Sequence, residues 1–245
     1  MHLNLSHDTL ICNGKIKITG SKSETNRLLF LQSLFPNFKI QNKSNSDDSS
    51  IMQAALKSTS DFIDINHAGT AMRFLTSYFS QLEGREVILT GSERMQQRPI
   101  KILVDALRSL GASIEYEKKH GYPPLRIKGK KLDGGTISLP ADISSQYISS
   151  LIMLGAVLKA GIELNLKGTI TSMPYINMTL DLLKRLGIKT EFKGHQILVK
   201  NTSKSKNTIQ VVESDWSSAS YFFSIAALSD KAKIYLSNYK SNSLQ

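Results

Sequence analysis

The 245-residue sequence holds one cysteine, no long apolar run, and few acidic residues for its many basic ones. With Cys12 alone, no disulfide can form within the chain, a composition typical of reducing compartments. The longest apolar stretches are interrupted well short of a membrane span. The N-terminus has neither the basic region nor the apolar core of a secretory signal. We therefore expect a cytoplasmic protein with no membrane segment.

Several familiar catalytic patterns are also missing. The five histidines lie far apart, without the spacing of metal ligands, and no serine lies in a nucleophile elbow. The sequence contains neither the glycine pattern of a dinucleotide-binding fold nor a Walker loop. We therefore expect no metal and no organic cofactor.

The excess of basic residues is large, since 31 Lys and Arg against 20 Asp and Glu give a formal net charge of +11. Three explanations are open: a nucleic-acid surface, a pocket for small anions, or a basic piece whose acidic partner lies elsewhere. The basic residues are scattered and are not interleaved with aromatics. This pattern favours small anions and argues against a nucleic-acid partner.

Apolar spacing predicts helices that alternate with short strands, which indicates an α/β (α+β) fold. The predicted helices cover residues 23–35, 70–82, 99–110, 144–159, 174–186 and 217–228, with a weaker one at 47–57. The predicted strands cover residues 62–65, 86–90, 113–116, 125–128, 136–139, 162–166, 189–192, 196–199, 208–212 and 233–236.

One internal repeat is visible in residues 98–128 and 173–199. Each copy has a proline at a helix start, a glycine just after the helix end, and then a β-hairpin. Pro99 and Gly111 mark the first copy, and Pro174 and Gly187 mark the second. The matched order indicates a true structural repeat.

Six polar segments share one placement, because each lies just before a predicted helix or in its first turn. Free backbone N–H groups and the helix dipole favour anions there. In the first segment, Ser23 and Arg27 share a helix face next to the mobile charge of Lys22. Each segment alone is equally consistent with an ordinary helix cap. The segments are residues 20–27 (GSKSETNR), 67–73 (HAGTAMR), 94–99 (RMQQRP), 144–146 (SSQ), 172–175 (SMPY) and 215–218 (DWSS).

Taken in order, these segments resemble the family of 3-phosphoshikimate 1-carboxyvinyltransferases, also called 5-enolpyruvylshikimate-3-phosphate (EPSP) synthases. Residues 90–91 (TG), 105–107 (DAL) and 212–221 (VESDWSSASY) extend the resemblance through almost the whole chain. Each string is short, but their combination and order are specific.

The resemblance implies the enolpyruvyl transferase fold, in which each of two domains is built from three βαβαββ repeats and helix N-termini point at the cleft between domains. For this chain it implies one complete domain of three βαβαββ repeats at residues 21–212. Residues 1–20 would be a strand of the second domain, and residues 213–245 would be the start of that domain. Whole family members are much longer, and their acid–base residues lie beyond the matched segments. We therefore expect the 245-residue chain alone to be inactive.

The implied reaction transfers the enolpyruvyl (carboxyvinyl) group of phosphoenolpyruvate to the 5-hydroxyl of shikimate 3-phosphate and releases phosphate, in aromatic amino-acid (chorismate) biosynthesis. Proton transfer builds a tetrahedral intermediate that then collapses, without a cofactor. The resemblance implies a catalytic role for Lys22, which would touch both substrates, and we expect a monomer. Shikimate 3-phosphate would be held by Lys22, Ser23, Arg27, Ser144, Ser145, Gln146, Ser172 and Tyr175. Phosphoenolpyruvate would be held by Lys22, Gly69, Arg98 and Gln146.

Three positions depart from the family pattern: His67 replaces the usual Asn, Gln97 an acidic residue, and Met173 a Lys. Two alternatives stay open. The related transferase that acts on UDP-N-acetylglucosamine has a similar fold, but its opening motif resembles Gly-Ser-Lys-Asn without the downstream Asn26 and Arg27 found here. A non-catalytic module could instead use the same basic surface to bind nucleic acid.

Overall fold

The computed structural model describes residues 9–245, in which helices and strands alternate as predicted. The helices are α1 (Lys22–Leu34), α2 (Asp47–Lys57), α3 (Gly69–Ser80), α4 (Glu93–Gln96), α5 (Lys101–Ser109), α6 (Ser145–Gly155), α7 (Met173–Arg185) and α8 (Trp216–Leu228). The strands are β1 (Ile11–Ile16), β2 (Lys39–Gln41), β3 (Phe62–Asp64), β4 (Glu86–Thr90), β5 (Ser113–Tyr116), β6 (Leu125–Lys128), β7 (Gly135–Pro140), β8 (Ile162–Lys167), β9 (Thr190–Lys193), β10 (Gln196–Val199), β11 (Ile209–Val211) and β12 (Lys231–Leu236).

Two four-stranded sheets repeat one topology. Their strand orders are β3-β4-β6-β5 and β7-β8-β10-β9. In each sheet the first two strands are parallel, and the last two strands in chain order form an antiparallel hairpin. Helices α3 and α5 follow β3 and β4, just as α6 and α7 follow β7 and β8. The βαβαββ repeat is therefore confirmed, and the short helix α4 is an addition to the first copy.

A third unit combines distant parts of the chain. Strand β2 pairs in parallel with β11, so that residue Ile40 lies opposite Gln210. Helices α1 and α2 flank β2 in sequence. The strand order of the repeat is therefore split here, because β11 is contributed from about 170 residues further along the chain.

The helices form the centre of the molecule. Every residue of α3 is buried, since helices α1, α2, α5 and α6 and strands β4 and β6 surround it. Small polar side chains let the helices approach closely, and Ser77 on α3 donates to Ser150 on α6 at 3.1 Å. Helix α6 ends at Gly155, earlier than predicted. A side chain at Gly155 would lie 2.2 Å from Ile162 on β8, so glycine is needed where the end of α6 meets the sheet.

The ends of the described chain form a smaller unit. Strand β1 pairs in parallel with β12, and α8 packs against β12. Ala219 is the buried residue of α8, whereas Tyr221 is 73% and Leu228 is 80% exposed. The predicted division at residues 20/21 and 212/213 stays a prediction, and residues 1–8 of its first piece lie outside the described residues. Together these exposed side chains form an apolar surface on α8, whereas a protein surface normally carries isolated apolar residues.

We predict that Leu228→Lys lowers the fluorescence of an apolar dye bound to the 245-residue chain. The substitution replaces a side chain that is 80% exposed, so the stability should change by less than about 0.5 kcal/mol. Ser224→Lys is the matched control, because it adds the same charge on an exposed position of α8 without removing apolar surface. Equal dye binding by both variants would contradict an accessible apolar face.

Candidate functional site

The helix starts differ in whether a side chain accepts one of their first backbone N–H groups. Among the residues that the structure describes, the starts of α1, α3, α5 and α7 have no side-chain cap. The starts of α2, α4, α6 and α8 are capped by Ser46, Ser92, Ser144 and Asp215. An uncapped helix start leaves N–H groups available to another acceptor. Helices α1, α3 and α7 begin at segments that the sequence predicts to bind anions.

The start of α1 is held by backbone contacts. A side chain at Gly20 would lie 2.0 Å from the carbonyl oxygen of Asn42, so only glycine fits there. The N–H of Ser21 donates to the carbonyl of Glu213 at 2.8 Å. The N–H of Glu213 donates in turn to the carboxylate of Glu24 at 2.9 Å. The chain that follows β11 therefore fixes the α1 start without covering its N–H groups.

Lys22 is the exposed cation at this start. Its side chain is 47% exposed, and its Nζ lies 3.6 Å from the carboxylate of Asp48 on α2. An ion pair in contact with solvent is worth little, so the ammonium can exchange this partner for a ligand anion. The neighbouring Ser23 is half-buried.

Arg27 lies one turn deeper and is 2% exposed. Its Nε donates to Thr179 on α7 at 2.7 Å, and its Nη2 donates to Ser149 on α6 at 2.9 Å. Its Nη1 donates to the carbonyl of Ser23 at 2.9 Å. Burial lowers the pKa of Arg27 to about 10. These bonds use three of the five guanidinium N–H groups and join the second turn of α1 to the second turns of α6 and α7.

The start of α3 lies against a second arginine. A Cβ at Gly69 would lie 2.3 Å from Nη1 of Arg98, so the guanidinium approaches the backbone where only glycine permits it. Buried Arg73 donates to the carbonyls of Gly69 and Pro99, both at 3.2 Å. Burial is the main cause that lowers the pKa of Arg73. Arg73 therefore holds the loop of Arg98 onto the α3 start.

A cavity of about 550 Å³ opens beside Arg98. It is lined by His67, Arg94, Met95 and Arg98. The Nδ1 atom of His67 lies 2.7 Å from the hydroxyl of Ser92, which also accepts the N–H of Met95. The imidazole that replaces the family's usual amide is thus anchored at the cavity wall.

The start of α6 joins the start of α3. Ser144 caps α6 by accepting the N–H of Gln146 at 3.4 Å, while Ser145 is buried. The side-chain amide of Gln146 donates to Thr70 on α3 at 3.1 Å. The hydroxyl of Tyr147 donates to the carbonyl of Pro99 at 2.6 Å. Gln146 therefore lies between the α3 start and the serines of α6.

The start of α7 contributes Ser172 and Tyr175. Ser172 is half-buried, and its side chain makes no cap. Tyr175 is 45% exposed, and its ring centroid lies 5.7 Å from Cζ of Arg27, within cation–π range. The contacts of Arg27 thus bring this start next to α1.

The sixth predicted segment, residues 215–218, does not join this group. Asp215 caps α8 by accepting the N–H of Ser218 at 2.7 Å, and Trp216 donates to Glu213 at 2.9 Å. This segment is an ordinary cap in the smaller unit.

Sequence reasoning missed three residues that support the site. Ser149 and Thr179 accept hydrogen bonds from Arg27, and Glu24 holds the α1 start. Arg73 lies in a predicted segment, but its role in holding the Arg98 loop was not predicted. The available signal was polarity, because Ser149 and Thr179 interrupt apolar stretches of α6 and α7. Within residues 9–245, no group of three His, Cys, Asp or Glu side chains could hold a metal ion. No helix in that range is long and apolar enough to cross a bilayer.

Comparison with known proteins gives one consistent result. Residues 41–245 match the family model described as EPSP synthase (3-phosphoshikimate 1-carboxyvinyltransferase). A 3-phosphoshikimate 1-carboxyvinyltransferase of Bacteroides fragilis is 48% identical over 231 residues, which cover 94% of this chain and 56% of that protein. The enzyme of that name from Actinobacillus pleuropneumoniae is 37% identical over 264 residues, covering 95% of this chain and 60% of that protein.

A solved EPSP synthase structure from Acinetobacter baumannii has the same fold, with a TM-score of 0.77 at 22% identity. The match covers 94% of this chain and 56% of that one. The chain thus spans little more than half the length of the relatives it matches. The structure has two βαβαββ copies and joined helix starts, and the family model matches residues 41–245. The chain therefore belongs to the EPSP synthase family.

Proposed function

We propose that the chain is part of a cytoplasmic enzyme that transfers the enolpyruvyl group of phosphoenolpyruvate to the 5-hydroxyl of shikimate 3-phosphate. Membership of the EPSP synthase family supports the reaction. The observation that carries the proposal is the meeting of the predicted segments. Arg27 joins α1, α6 and α7, and Gln146 joins α6 to α3.

The shikimate 3-phosphate part of the site uses α1, α6 and α7. Lys22 and the two remaining guanidinium N–H groups of Arg27 supply positive charge, and the free N–H groups of α1 supply further donors. The hydroxyls of Ser23, Ser144, Ser145 and Ser172, with the amide of Gln146, suit phosphate and ring oxygens. Tyr175 is exposed beside Arg27, where its ring can border the shikimate ring.

The phosphoenolpyruvate part of the site uses the α3 start and Arg98. Gly69 lets the guanidinium of Arg98 lie against free helix N–H groups, so that two kinds of donor point at one anion. We assign Gln146, which bonds Thr70 on α3, and Lys22 to contacts with both substrates. The main catalytic contribution of these residues is to neutralise and orient two anionic substrates without a cofactor.

We predict that Lys22→Met lowers the affinity for shikimate 3-phosphate about tenfold or more, because a charge-assisted hydrogen bond is lost. Lys22 is largely solvated, so the fold should persist. Lys43→Met is the control, since this exposed lysine bonds Gln53 instead. Calorimetry at fixed salt measures both. Equal losses of affinity in the two variants would count against the site. Salt-sensitive binding of the chain to arbitrary DNA would favour the nucleic-acid alternative.

We predict that Thr179→Val destabilises the protein by about 1–3 kcal/mol and weakens shikimate 3-phosphate binding, because the buried Nε of Arg27 loses its acceptor. Thr76→Val is the matched control, since its buried hydroxyl bonds the carbonyl of Met72 within its own helix at 2.7 Å. Urea unfolding and calorimetry measure the two effects. A Thr179 variant that behaves like the Thr76 variant in both would show that Arg27 does not depend on this contact.

We predict that the 245-residue chain binds shikimate 3-phosphate as a monomer but releases no phosphate from phosphoenolpyruvate. The described site holds cations, hydroxyls and amides, and Asp48 is the carboxylate recorded at Lys22. The resemblance assigns the acid–base groups to positions outside the matched segments. A coupled phosphate-release assay tests this expectation, and robust turnover by the purified chain would overturn it.

A further inference from the structure

Three distant segments meet at the carboxylate of Glu24, which is 4% exposed. One oxygen accepts the N–H of Glu213 at 2.9 Å. The other lies 3.4 Å from Nη1 of Arg185 at the end of α7 and 3.8 Å from Nζ of Lys240, beyond β12. A carboxylate in the first turn of α1 therefore contacts the chain on both sides of α8.

The position of Glu24 on α1 makes this arrangement unusual. It is the third residue of the helix, where a glutamate commonly folds back to bond the N–H of the cap residue. Here that N–H, on Ser21, donates to the carbonyl of Glu213 instead. Ser21 and Glu24 thus exchange two hydrogen bonds with one residue of another segment. These two bonds hold the start of α1 in place and leave the N–H groups of its first residues available to a ligand.

Glu213 is a firm anchor because its own side chain is fully engaged. Its carboxylate accepts bonds from the indole of Trp216, the N–H of Lys240 and the hydroxyl of Ser243, each at 2.9 Å. Burial opposes ionisation of Glu213, but these hydrogen bonds outweigh it and hold its pKa below the usual value. The backbone of Glu213 is therefore fixed where it meets α1.

The ionised form of Glu24 does not stabilise the fold. Burial raises the pKa of Glu24 above 4.5, although Lys240, the N–H of Glu213 and Arg185 offset part of the effect. The folded protein holds this proton more tightly than the unfolded chain. Stability is therefore lost as pH rises through the raised pKa, and the ionised carboxylate at neutral pH is a net cost.

We infer that Glu24 is a positioning residue for the anion site, and that its bond to Glu213 holds the start of α1 where Lys22 and Ser23 meet the substrate phosphate. The inference rests on the proposed function. The side chain of Glu24 contacts Glu213, Arg185 and Lys240, and it acts through the position of the helix start rather than on a reacting atom.

Glu24 lines a small cavity together with four other charged groups, and these groups decide the choice of variants. Arg185 and Asp181 face it from α7, where they form their own pair at 2.5 Å, and Glu213 and Lys240 face it from the smaller unit. Arg185 and the partly exposed Lys240 keep Asp181 and water as partners when Glu24 is neutral. Glu24→Met therefore removes the acceptor of the Glu213 N–H without leaving either cation isolated, whereas Glu24→Gln removes only the charge.

The experiment measures shikimate 3-phosphate affinity and thermal stability at pH 7.5 for the wild-type chain, Glu24→Met, Glu24→Gln and Asp181→Asn. We expect Glu24→Met to bind about tenfold more weakly, because the N–H of Glu213 loses its acceptor. Glu24→Gln keeps an acceptor oxygen and should recover most of that loss, with a Tm equal to or higher than that of the wild type. Asp181→Asn removes a charge from the same cavity without touching Glu213 and should bind like wild type.

Each other outcome overturns the inference. Wild-type affinity of Glu24→Met, or equal losses in Glu24→Met and Glu24→Gln, would mean that the bond to Glu213 does not position the site. A lower Tm with unchanged affinity would assign Glu24 a purely structural role. Failure of the wild-type chain itself to bind shikimate 3-phosphate would refute the proposed function instead, so the two failures are distinguishable.

Discussion

The buried guanidinium of Arg27 is the interaction on which the site depends. Its recorded acceptors are hydroxyl and carbonyl oxygens of Thr179, Ser149 and Ser23. These neutral groups accept three of the five N–H groups of the cation and leave its charge uncancelled. One side chain therefore sets the spacing of three helix starts and supplies the positive potential that draws an anion to them. A carboxylate partner would have fixed the helices equally well but would have removed that potential.

Further contacts hold each helix start before any substrate arrives. Ser21 and Glu24 fix α1 to Glu213, and Arg73 and Tyr147 fix the Arg98 loop through Pro99. The binding groups are thus preorganised on rigid elements, which lowers the ordering cost of binding two anions. The strand that returns to pair with β2 is what makes the α1 contacts possible, because it brings Glu213 beside the first residues of α1.

Local signals predicted most of the fold and the helix starts of the site. Proline at a helix start and glycine after its end gave both repeat copies, and β4, β5, β6, β10 and α2 have their predicted bounds. Strand β2 and helix α4 were missed, since they are short, mostly exposed and without apolar periodicity. A strand within residues 1–20 was expected only from the resemblance, and β1 lies there. The roles of Thr179 and Glu24 depend on partners more than 150 residues away, so no local pattern reveals them.

The central claim is that uncapped starts of α1, α3 and α7 form one anion site. Backbone amide chemical shifts, followed by NMR while shikimate 3-phosphate is added, test it most directly. The account predicts that the largest shifts fall on Lys22, Ser23 and the first residues of α7, with the start of α3 responding to phosphoenolpyruvate. Shifts concentrated instead on the lysines around the β9–β10 hairpin, such as Lys189 and Lys200, would contradict the account.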